Sequence, residues 1–223
     1  MNDEPIGRRI AKALLRAYMR RWHGLGLEGM ALLPPRGPAL VLTNHASILD
    51  IPTLMAADPY PDTVFVVKAS VFRIPLVRPA LGLWGAIPVE RRGRDTAGVR
   101  AIFRALRQGR VVAMAPEGRR SRDGRLGPVN PVLARIAARC GVPIVPVGIR
   151  GSFAALPPRA VFPRRRGIAL RVGRPFNLTA ATSPEEAATR IRDAIASLLP
   201  PDQQPREMAR PVESGGSALP STR

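Results

Sequence analysis

Residues 39–50 read A-L-V-L-T-N-H-A-S-I-L-D, a short apolar, β-branched run followed by a turn that contains a histidine. The first five residues, Ala39–Thr43, are typical of a buried strand. Residues Ile48–Ala57 after the turn favour a helix, with Pro52 near its start, where proline is tolerated. A buried strand that turns into a helix is the unit from which layered α/β domains are built.

Short apolar runs and amphipathic segments alternate along the rest of the chain. We predict further strands and helices in turn: strands at residues 63–67, 85–89, 111–115, 142–149 and 168–172, and helices at residues 96–107, 131–139 and 184–199. Prolines within residues 142–149 indicate an edge strand or a bulge. The predicted fold class is α/β: a single layered domain with a mostly buried mixed sheet flanked by helices, preceded by a basic amphipathic N-terminal helix.

The sequence divides into three parts. Residues 1–26 hold the N-terminal helix, predicted at Ile6–Trp22, and residues 27–199 hold the alternating strands and helices. Residues 200–223 are rich in proline, glycine, serine, glutamine and charge and show no periodicity. Such a composition predicts a disordered tail.

The N-terminal helix carries an apolar stripe, because Ile10, Leu14, Tyr18 and Trp22 recur every fourth residue. Arginine and lysine fill much of the remaining surface. One interpretation is a surface helix that packs this stripe against the domain core. The other is a helix that lies on an anionic membrane surface, with the stripe in the interface and the basic residues near the headgroups.

Composition narrows the functional classes. The 223 residues include one cysteine, Cys140, and two histidines, His23 and His45. This excludes a disulfide scaffold and a cysteine-based zinc cage, and we expect no metal site. No stretch reaches the roughly 20 apolar residues that a membrane-spanning helix needs, and no secretory signal is apparent.

The formal net charge of +19 predicts attraction to polyanions, whether nucleic acid, anionic lipid surfaces or phosphorylated substrates. A basic nucleic-acid-binding protein is therefore one hypothesis. Aromatic residues make up only 4% of the chain, however, and the sequence has no RNA-recognition or zinc-finger signature. We therefore expect no specific nucleic-acid partner.

His45 and Asp50 are candidates for a catalytic pair. His45 directly follows a predicted buried strand, where α/β folds place ligands and catalytic groups. Asp50 lies five residues further on, so the intervening turn allows its carboxylate to fold back onto the imidazole ring. An aspartate bonded to one ring nitrogen leaves the other nitrogen free as a base. The alternative is a core histidine and a helix-start aspartate that never meet.

Two basic segments follow other predicted strands and are expected at the same edge of the sheet. The strand at residues 85–89 is followed by Glu90-Arg91-Arg92, and the strand at residues 111–115 by P-E-G-R-R-S-R-D-G over residues 116–124. Arginine forks match phosphate geometry, so these segments either bind a phosphorylated substrate or form a solvated basic surface. The sequence lacks G-x-S-x-G, which disfavours a serine hydrolase of that type and favours direct deprotonation of a substrate hydroxyl by His45.

Four blocks, in order, resemble those of the glycerolipid acyltransferases, the 1-acylglycerol-3-phosphate acyltransferase family. N-H-A-S-I-L-D at residues 44–50 is similar to the family's N-H-x-S-x-x-D block. F-R-I-P at residues 72–75 with G-A-I-P-V-E-R at residues 85–91 is similar to the second block. P-E-G-R-R-S-R-D-G at residues 116–124 is similar to the third, and V-P-I-V-P-V-G-I at residues 142–149 to the fourth.

This resemblance implies transfer of a fatty acyl group to the free hydroxyl of a lysophospholipid, chiefly 1-acyl-sn-glycerol 3-phosphate, giving phosphatidic acid. The acyl donor would be acyl-CoA or acyl-ACP (the acyl carrier protein thioester), with no permanently bound cofactor and no acyl-enzyme. His45 would be the general base and Asp50 its orienting partner. Residues of the second and third blocks would bind the acceptor: Arg91, Glu117, Gly118, Arg120 and Ser121. Pro146 and its strand would line the acyl or acceptor pocket.

The resemblance also favours the membrane interpretation of the N-terminal helix, because a lipid acceptor must be reached in the bilayer. We therefore expect a peripheral protein on the cytoplasmic face of the cell membrane.

The third block departs from the family pattern. Arg119 replaces its threonine, and Ala115 stands where an aromatic residue is usual. Residues 129–132, V-N-P-V, keep neither the lysine nor the glycine of a stretch that often follows. These changes lie on the acceptor side, so another lysolipid, such as a lyso-ornithine lipid, remains an alternative acceptor. A lipid-binding relative without activity is a further alternative.

Overall fold

The computed structural model describes residues 4–90 and 95–206, which form one mixed sheet flanked by helices. The strands are β1 (Gly26–Glu28), β2 (Ala39–Thr43), β3 (Val64–Lys68), β4 (Ile87–Val89), β5 (Val111–Met114), β6 (Ile144–Arg150) and β7 (Ala169–Val172). The α-helices are α1 (Ile6–His23), α2 (Asp50–Ala57), α3 (Arg78–Leu83), α4 (Thr96–Arg107), α5 (Pro131–Arg139), α6 (Ser152–Ala155) and α7 (Pro184–Ala196). Short 3-10 helices span Met30–Leu32 and Ala69–Arg73.

The sheet has the strand order β1-β7-β6-β2-β5-β3-β4. Strands β2 to β6 run parallel, β7 is antiparallel to β6, and β1 is parallel to β7. The five parallel strands therefore end at one edge, which we call the carboxyl edge, while β1 and β7 begin there. The predicted α/β class with a mixed sheet is confirmed.

The sheet is buried on both faces, which explains why its strands read as continuous apolar runs. In the central strand β2, Leu40 and Leu42 belong to a core covered by α4, α5 and α7. Ala39 and Val41 belong to a second core, to which α1 and α2 contribute. Alternate residues of one strand thus pack into opposite layers.

The N-terminal helix is present, but the face that it turns to the domain differs from the expectation of a surface helix packed through its apolar stripe. The stripe faces solvent: Leu14 is 67% and Ile10 55% exposed, and Tyr18 and Trp22 are also exposed. Ile6, one turn before Ile10, extends it and is 75% exposed. Contact with the core comes from other positions, such as Met19, which is fully buried. The interpretation that the stripe packs against the core is therefore wrong.

Two basic residues of α1 point inward and hold the helix in this orientation. Arg8 Nη2 donates to Asp58 Oδ2 at 3.3 Å and to Thr63 O at 3.1 Å. Lys12 Nζ donates to Tyr60 O at 3.0 Å. Buried cations need such partners, because an uncompensated charge in the interior is costly. No helix among the described residues is long and apolar enough to cross a bilayer.

Strand β6 is not an outermost strand of the sheet, although its prolines indicated an outermost (edge) strand or a bulge. It lies between β2 and β7, with Pro146 opposite Leu42. The pairing partners beside Pro146 shift by one residue, because Ile144 bridges Phe176 whereas Val147 pairs with Val172. The irregularity on the β7 side accommodates the missing N–H of Pro146.

The C-terminal segment was predicted to be disordered from residue 200 onward, but its described part packs against the domain. Leu126 N donates to Gln203 O at 2.8 Å, and Arg125 Nη1 donates to Gln204 O at 3.0 Å. Residues 200–206 therefore belong to the fold, because their backbone carbonyls accept hydrogen bonds from the loop that follows β5. Residues 207–223 lie outside the described residues.

Candidate active site

The candidate site is built where β2 ends and the chain turns into α2. His45 Nδ1 lies 2.9 Å from Asp50 Oδ2. The His45 side chain is 17% exposed and that of Asp50 only 1%. Because the aspartate oxygen is an acceptor, this contact places the proton of the neutral imidazole on Nδ1 and leaves Nε2 free. The two residues that the sequence paired do meet, in a geometry suited to a general base.

Backbone N–H groups of the turn fix the Asp50 carboxylate. Its Oδ2 accepts hydrogen bonds from the N–H groups of Ala46 and Ser47, each at 2.8 Å. Asp50 is also the first residue of α2, where the helix dipole favours a negative charge. The aspartate therefore holds the imidazole ring from a rigid position.

Asn44 ties the end of β2 to β6. Its Nδ2 donates to Ile149 O at 2.9 Å, and its Oδ1 accepts from Ile149 N at 2.7 Å. The side-chain amide thus takes the place of a neighbouring strand and satisfies both backbone groups of Ile149. No role for Asn44 was predicted from the sequence, although it opens the first block and stands between a buried strand and the histidine.

Glu117 supports the backbone of the histidine. Oε1 accepts the N–H of His45 at 2.7 Å, and Oε2 accepts the N–H of Gly127 at 2.8 Å. A Cβ at Gly127 would lie 2.9 Å from Oε2, so any other residue at this position would displace the Glu117 carboxylate. Burial raises the pKa of Glu117 to about 7, although both N–H groups act in the opposite direction. The resemblance assigned Glu117 to the acceptor, whereas here both of its oxygens engage backbone.

The rest of the third block surrounds the same backbone and presents cations to solvent. Gly118 forms the turn with a φ of 69°, a conformation that favours glycine. Ser121 N donates to His45 O at 2.7 Å. Arg119 and Arg120 are exposed and form no ion pair with the described residues. The block thus holds His45 from one side and offers free guanidinium groups on the other.

Two further residues predicted for the site are not found beside His45 among the described residues. Arg91 lies outside the described residues. Pro146 lies in the middle of β6, not at the carboxyl edge, and its ring packs against Gly173. Its neighbour Val147 lines a narrow apolar cavity together with Leu54 and Phe65.

A larger cavity of about 500 Å³ opens at the carboxyl edge. Five segments form its walls: residues 24–26, 123–124, 150–154, 167–169 and 200–203. Neither His45 nor Asp50 lines this cavity. Its volume falls within the range of small-molecule binding sites, roughly 300–1,000 Å³.

These features define a class of protein: an α/β domain with a buried aspartate and an accessible histidine where its parallel strands end, flanked by an arginine-rich turn. A family model described as acyltransferase matches residues 25–150, more than half of the chain. The chain belongs to the acyltransferase family. The resemblance seen in the four sequence blocks is thereby confirmed.

Two curated relatives indicate the range of the family. The chain is 31% identical over 151 residues to the chloroplastic 1-acyl-sn-glycerol-3-phosphate acyltransferase BAT2 of Brassica napus, covering 66% of this chain and 43% of the relative. It is 34% identical over 139 residues to the lyso-ornithine lipid O-acyltransferase of Rhizobium meliloti (strain 1021), covering 58% of this chain and 46% of the relative. The chain spans less than half the length of these relatives.

A crystal structure shares the fold. The 1-acyl-sn-glycerophosphate acyltransferase PlsC from Thermotoga maritima superposes with a TM-score of 0.73 at 22% sequence identity, covering 89% of this chain and 82% of PlsC. At this identity the likeness concerns the fold alone.

Proposed function

We propose that this protein transfers a fatty acyl group from acyl-CoA or acyl-ACP to the free hydroxyl of a lysophospholipid, with 1-acyl-sn-glycerol 3-phosphate as the first acceptor to test. The observation that carries the proposal is the 2.9 Å contact between His45 Nδ1 and Asp50 Oδ2 at the carboxyl edge of an acyltransferase fold. The product would be phosphatidic acid and the free thiol of the donor.

The reaction follows from the free Nε2 of His45. As the acceptor oxygen attacks the thioester carbonyl, Nε2 takes its proton, and Asp50 stabilises the imidazolium that forms. The carbon–sulfur bond of the tetrahedral intermediate then breaks, and the imidazolium returns the proton to the leaving thiolate. No covalent acyl-enzyme is needed, so His45 requires no nucleophilic partner.

Free guanidinium groups support a phosphorylated acceptor. Arg119 and Arg120 are exposed on the turn whose Ser121 N–H contacts the backbone of His45. Arginine binds phosphate oxygens in bidentate geometry. We propose that Arg120 holds the acceptor phosphate, together with Arg91, whose role rests on the resemblance of the second block.

A lyso-ornithine lipid is the second candidate acceptor. One observation favours it: the chain is 34% identical over 139 residues to the lyso-ornithine lipid O-acyltransferase of Rhizobium meliloti (strain 1021). The reaction at His45 would be the same, since both acceptors present a hydroxyl to the same base.

We further propose that the protein lies peripherally on the cytoplasmic face of the cell membrane through α1. The outward apolar stripe of α1 supports this, because Ile6, Ile10 and Leu14 would leave water on an anionic bilayer. The exposed Arg9 and Arg20 beside the stripe would meet lipid phosphates.

The test is acyl transfer from oleoyl-CoA and palmitoyl-ACP to a panel of lysolipids that includes both candidate acceptors. We expect His45→Ala to abolish transfer and Asp50→Asn to reduce it by up to about 10⁴-fold, the effect of the same substitution in the Ser-His-Asp triad of serine proteases. Asp193→Asn, on the exposed surface of α7, is the matched control and should retain wild-type activity. Thermal melting verifies folding, and full activity in folded His45→Ala would disprove the proposal.

A further inference from the structure

The loop that joins α6 to β7 exposes two large apolar side chains. Residues 157–166 read P-P-R-A-V-F-P-R-R-R, and Val161 and Phe162 are each 81% exposed. All four arginines of this loop are exposed: Arg159, Arg164, Arg165 and Arg166. An apolar tip surrounded by cations matches the interface of an anionic bilayer, where hydrocarbon lies beneath a layer of phosphates.

The loop is fixed at both ends, so its tip projects from a defined place. Arg164 N donates to Ala155 O at 2.7 Å, closing the loop onto α6. Arg166 O lies 3.0 Å from His23 Nδ1, and Ile168 N donates to His23 O at 3.0 Å. The apolar tip is thus carried on a closed base attached to the last residue of α1.

This attachment places the base of the loop next to the end of α1, which carries the outward stripe. The stripe ends with Tyr18 and Trp22, which are about 40% exposed and lie in the last two turns of α1 before its end at His23. Both the end of α1 and the loop lie at the carboxyl edge, because β1 and β7 begin there. The end of α1 and the base of the loop therefore adjoin at the carboxyl edge.

The same loop starts beside the candidate catalytic turn. Leu156, its neighbour at the end of α6, accepts a hydrogen bond from Ser47 Oγ at 2.9 Å. Ser47 in turn donates its N–H to the Asp50 carboxylate. A bilayer that contacts the tip would therefore lie beside the His45 site rather than at the opposite edge of the sheet.

We propose that residues 157–166 form a second membrane-inserting element, with Val161 and Phe162 in the acyl region and the flanking arginines on anionic headgroups. With α1 it sets the carboxyl edge against the bilayer. The proposal rests on the proposed function in one respect: the acceptor is a lipid in that bilayer.

The experiment measures sedimentation of the full chain with vesicles of phosphatidylcholine and phosphatidylglycerol. We expect Val161→Ser/Phe162→Ser to lower the vesicle partition coefficient by about tenfold or more, the effect of withdrawing side chains of this size from hydrocarbon. Leu32→Ser is the matched control; Leu32 is an exposed apolar residue at the opposite edge of the sheet and should not matter. Equal sedimentation of the double variant and wild type would overturn the proposal.

The charge contribution is measured separately. Arg164→Gln/Arg165→Gln should lower binding to anionic vesicles by about fivefold per arginine, and not to pure phosphatidylcholine vesicles. Arg104→Gln/Arg107→Gln on α4 removes the same charge from a face that the proposal leaves in water. If both pairs lose binding equally, the loop has no special contact with lipid and the proposal fails.

Two further readouts separate the loop from the catalytic proposal. A polarity-sensitive dye at Phe162→Cys, in a Cys140→Ser background, should shift to the blue with anionic vesicles, whereas the same dye at Leu32→Cys should not. Transfer to a short-chain lysolipid in free solution should be unchanged in the double serine variant.

A loop variant that binds vesicles normally but no longer binds acyl-ACP would assign the loop to the acidic carrier and overturn the proposal. Vesicle binding that needs the loop, in a protein without acyl transfer, would support it while disproving the proposed function.

Discussion

The backbone of His45 is held on both sides by residues from other strand ends. Its N–H donates to Glu117 and its carbonyl accepts from Ser121, both of which follow β5. The preceding residue, Asn44, is fixed to Ile149 of β6. Three strands therefore determine where the imidazole points, and Glu117 contributes to the site even though its carboxylate faces backbone.

Replacing Glu117 by glutamine should change how stability depends on pH. The pKa of the Glu117 carboxyl is raised from 4.5 to about 7 in the folded protein. Between these values the folded state holds more protons than the unfolded state, so this carboxyl's contribution to the free energy of unfolding falls as pH rises. We expect the stability of wild type relative to Glu117→Gln to drop by on the order of 3 kcal/mol across this interval and to stay constant at higher pH.

Urea unfolding at several values between about pH 5 and pH 8 measures this difference. Glu186→Gln, an exposed glutamate on α7, is the control and should follow wild type at every pH. A stability difference that does not vary with pH would show that Glu117 titrates near its ordinary value when folded.

At the scale of elements, α1 and α2 are joined by cations at a helix end. Arg16 Nε donates to Ala56 O at 2.7 Å, in the last turn of α2, while Arg8 and Lys12 bind the carbonyls just beyond it. Carbonyl groups at a helix C-terminus attract positive charge. The basic face of α1 is therefore its attachment to the domain, which leaves the apolar stripe outside.

Asp58 is the carboxylate that this attachment depends on most. Asp58→Ala would leave the buried Arg8 without one of its acidic partners, and we expect the free energy of unfolding to fall by about 3 kcal/mol. Asp193→Ala on α7 is the control and should change stability by less than about 0.5 kcal/mol. Chemical unfolding of both variants measures these free energies. An exposed ion pair contributes less than about 1 kcal/mol, so a loss this small for Asp58→Ala would show that Asp58 does not hold α1 on the domain.

The sequence predicted those elements whose signals are local. The bounds of α4 and α5 were correct because Asp95 and Asn130 accept hydrogen bonds from the first turns, and Gly109 and Gly141 follow the last. Strand β1 was missed, since three residues that begin with glycine carry no periodicity. The short helices α3 and α6 were missed for the same reason.

Sequence separation explains which parts of the site were predictable. His45 and Asp50 are five residues apart, and their contact follows from the turn between them. Glu117 meets His45 across 72 residues, and Asn44 meets Ile149 across 105. The inward orientation of Arg8 depends on Asp58, 50 residues away. Such contacts require the strand order, which the sequence did not provide.

At the scale of the whole molecule, the chain returns to its carboxyl edge after α7. Arg125 Nη1 donates to the carbonyls of Pro201 and Gln204, at 3.2 Å and 3.0 Å, and Leu126 N donates to Gln203 O. These contacts support the loop that continues into Gly127, the partner of Glu117. The last described residues thus stabilise the loop beside the candidate active site, which residues 44–50 form.

Shortening the chain tests this contribution. A chain that ends after residue 200 loses all three hydrogen bonds, and we expect it to unfold with about 2 kcal/mol less free energy than a chain that ends after residue 206. The longer truncation is the matched control, since it keeps every described contact. Equal midpoints in urea would mean that residues 201–206 add no stability.

The pairing of β1 with β7 has a consequence for synthesis on the ribosome. His23 and Arg166 are separated by 143 residues, so the first strand and the helix before it have no sheet to join until most of the domain has been made. At about 5–20 residues per second, this delay lasts roughly 7 to 30 seconds. During that interval the nascent helix α1 lacks Asp58 only briefly but lacks β7 throughout. Closure of the sheet is therefore a late event, set by the speed of translation rather than by local helix formation.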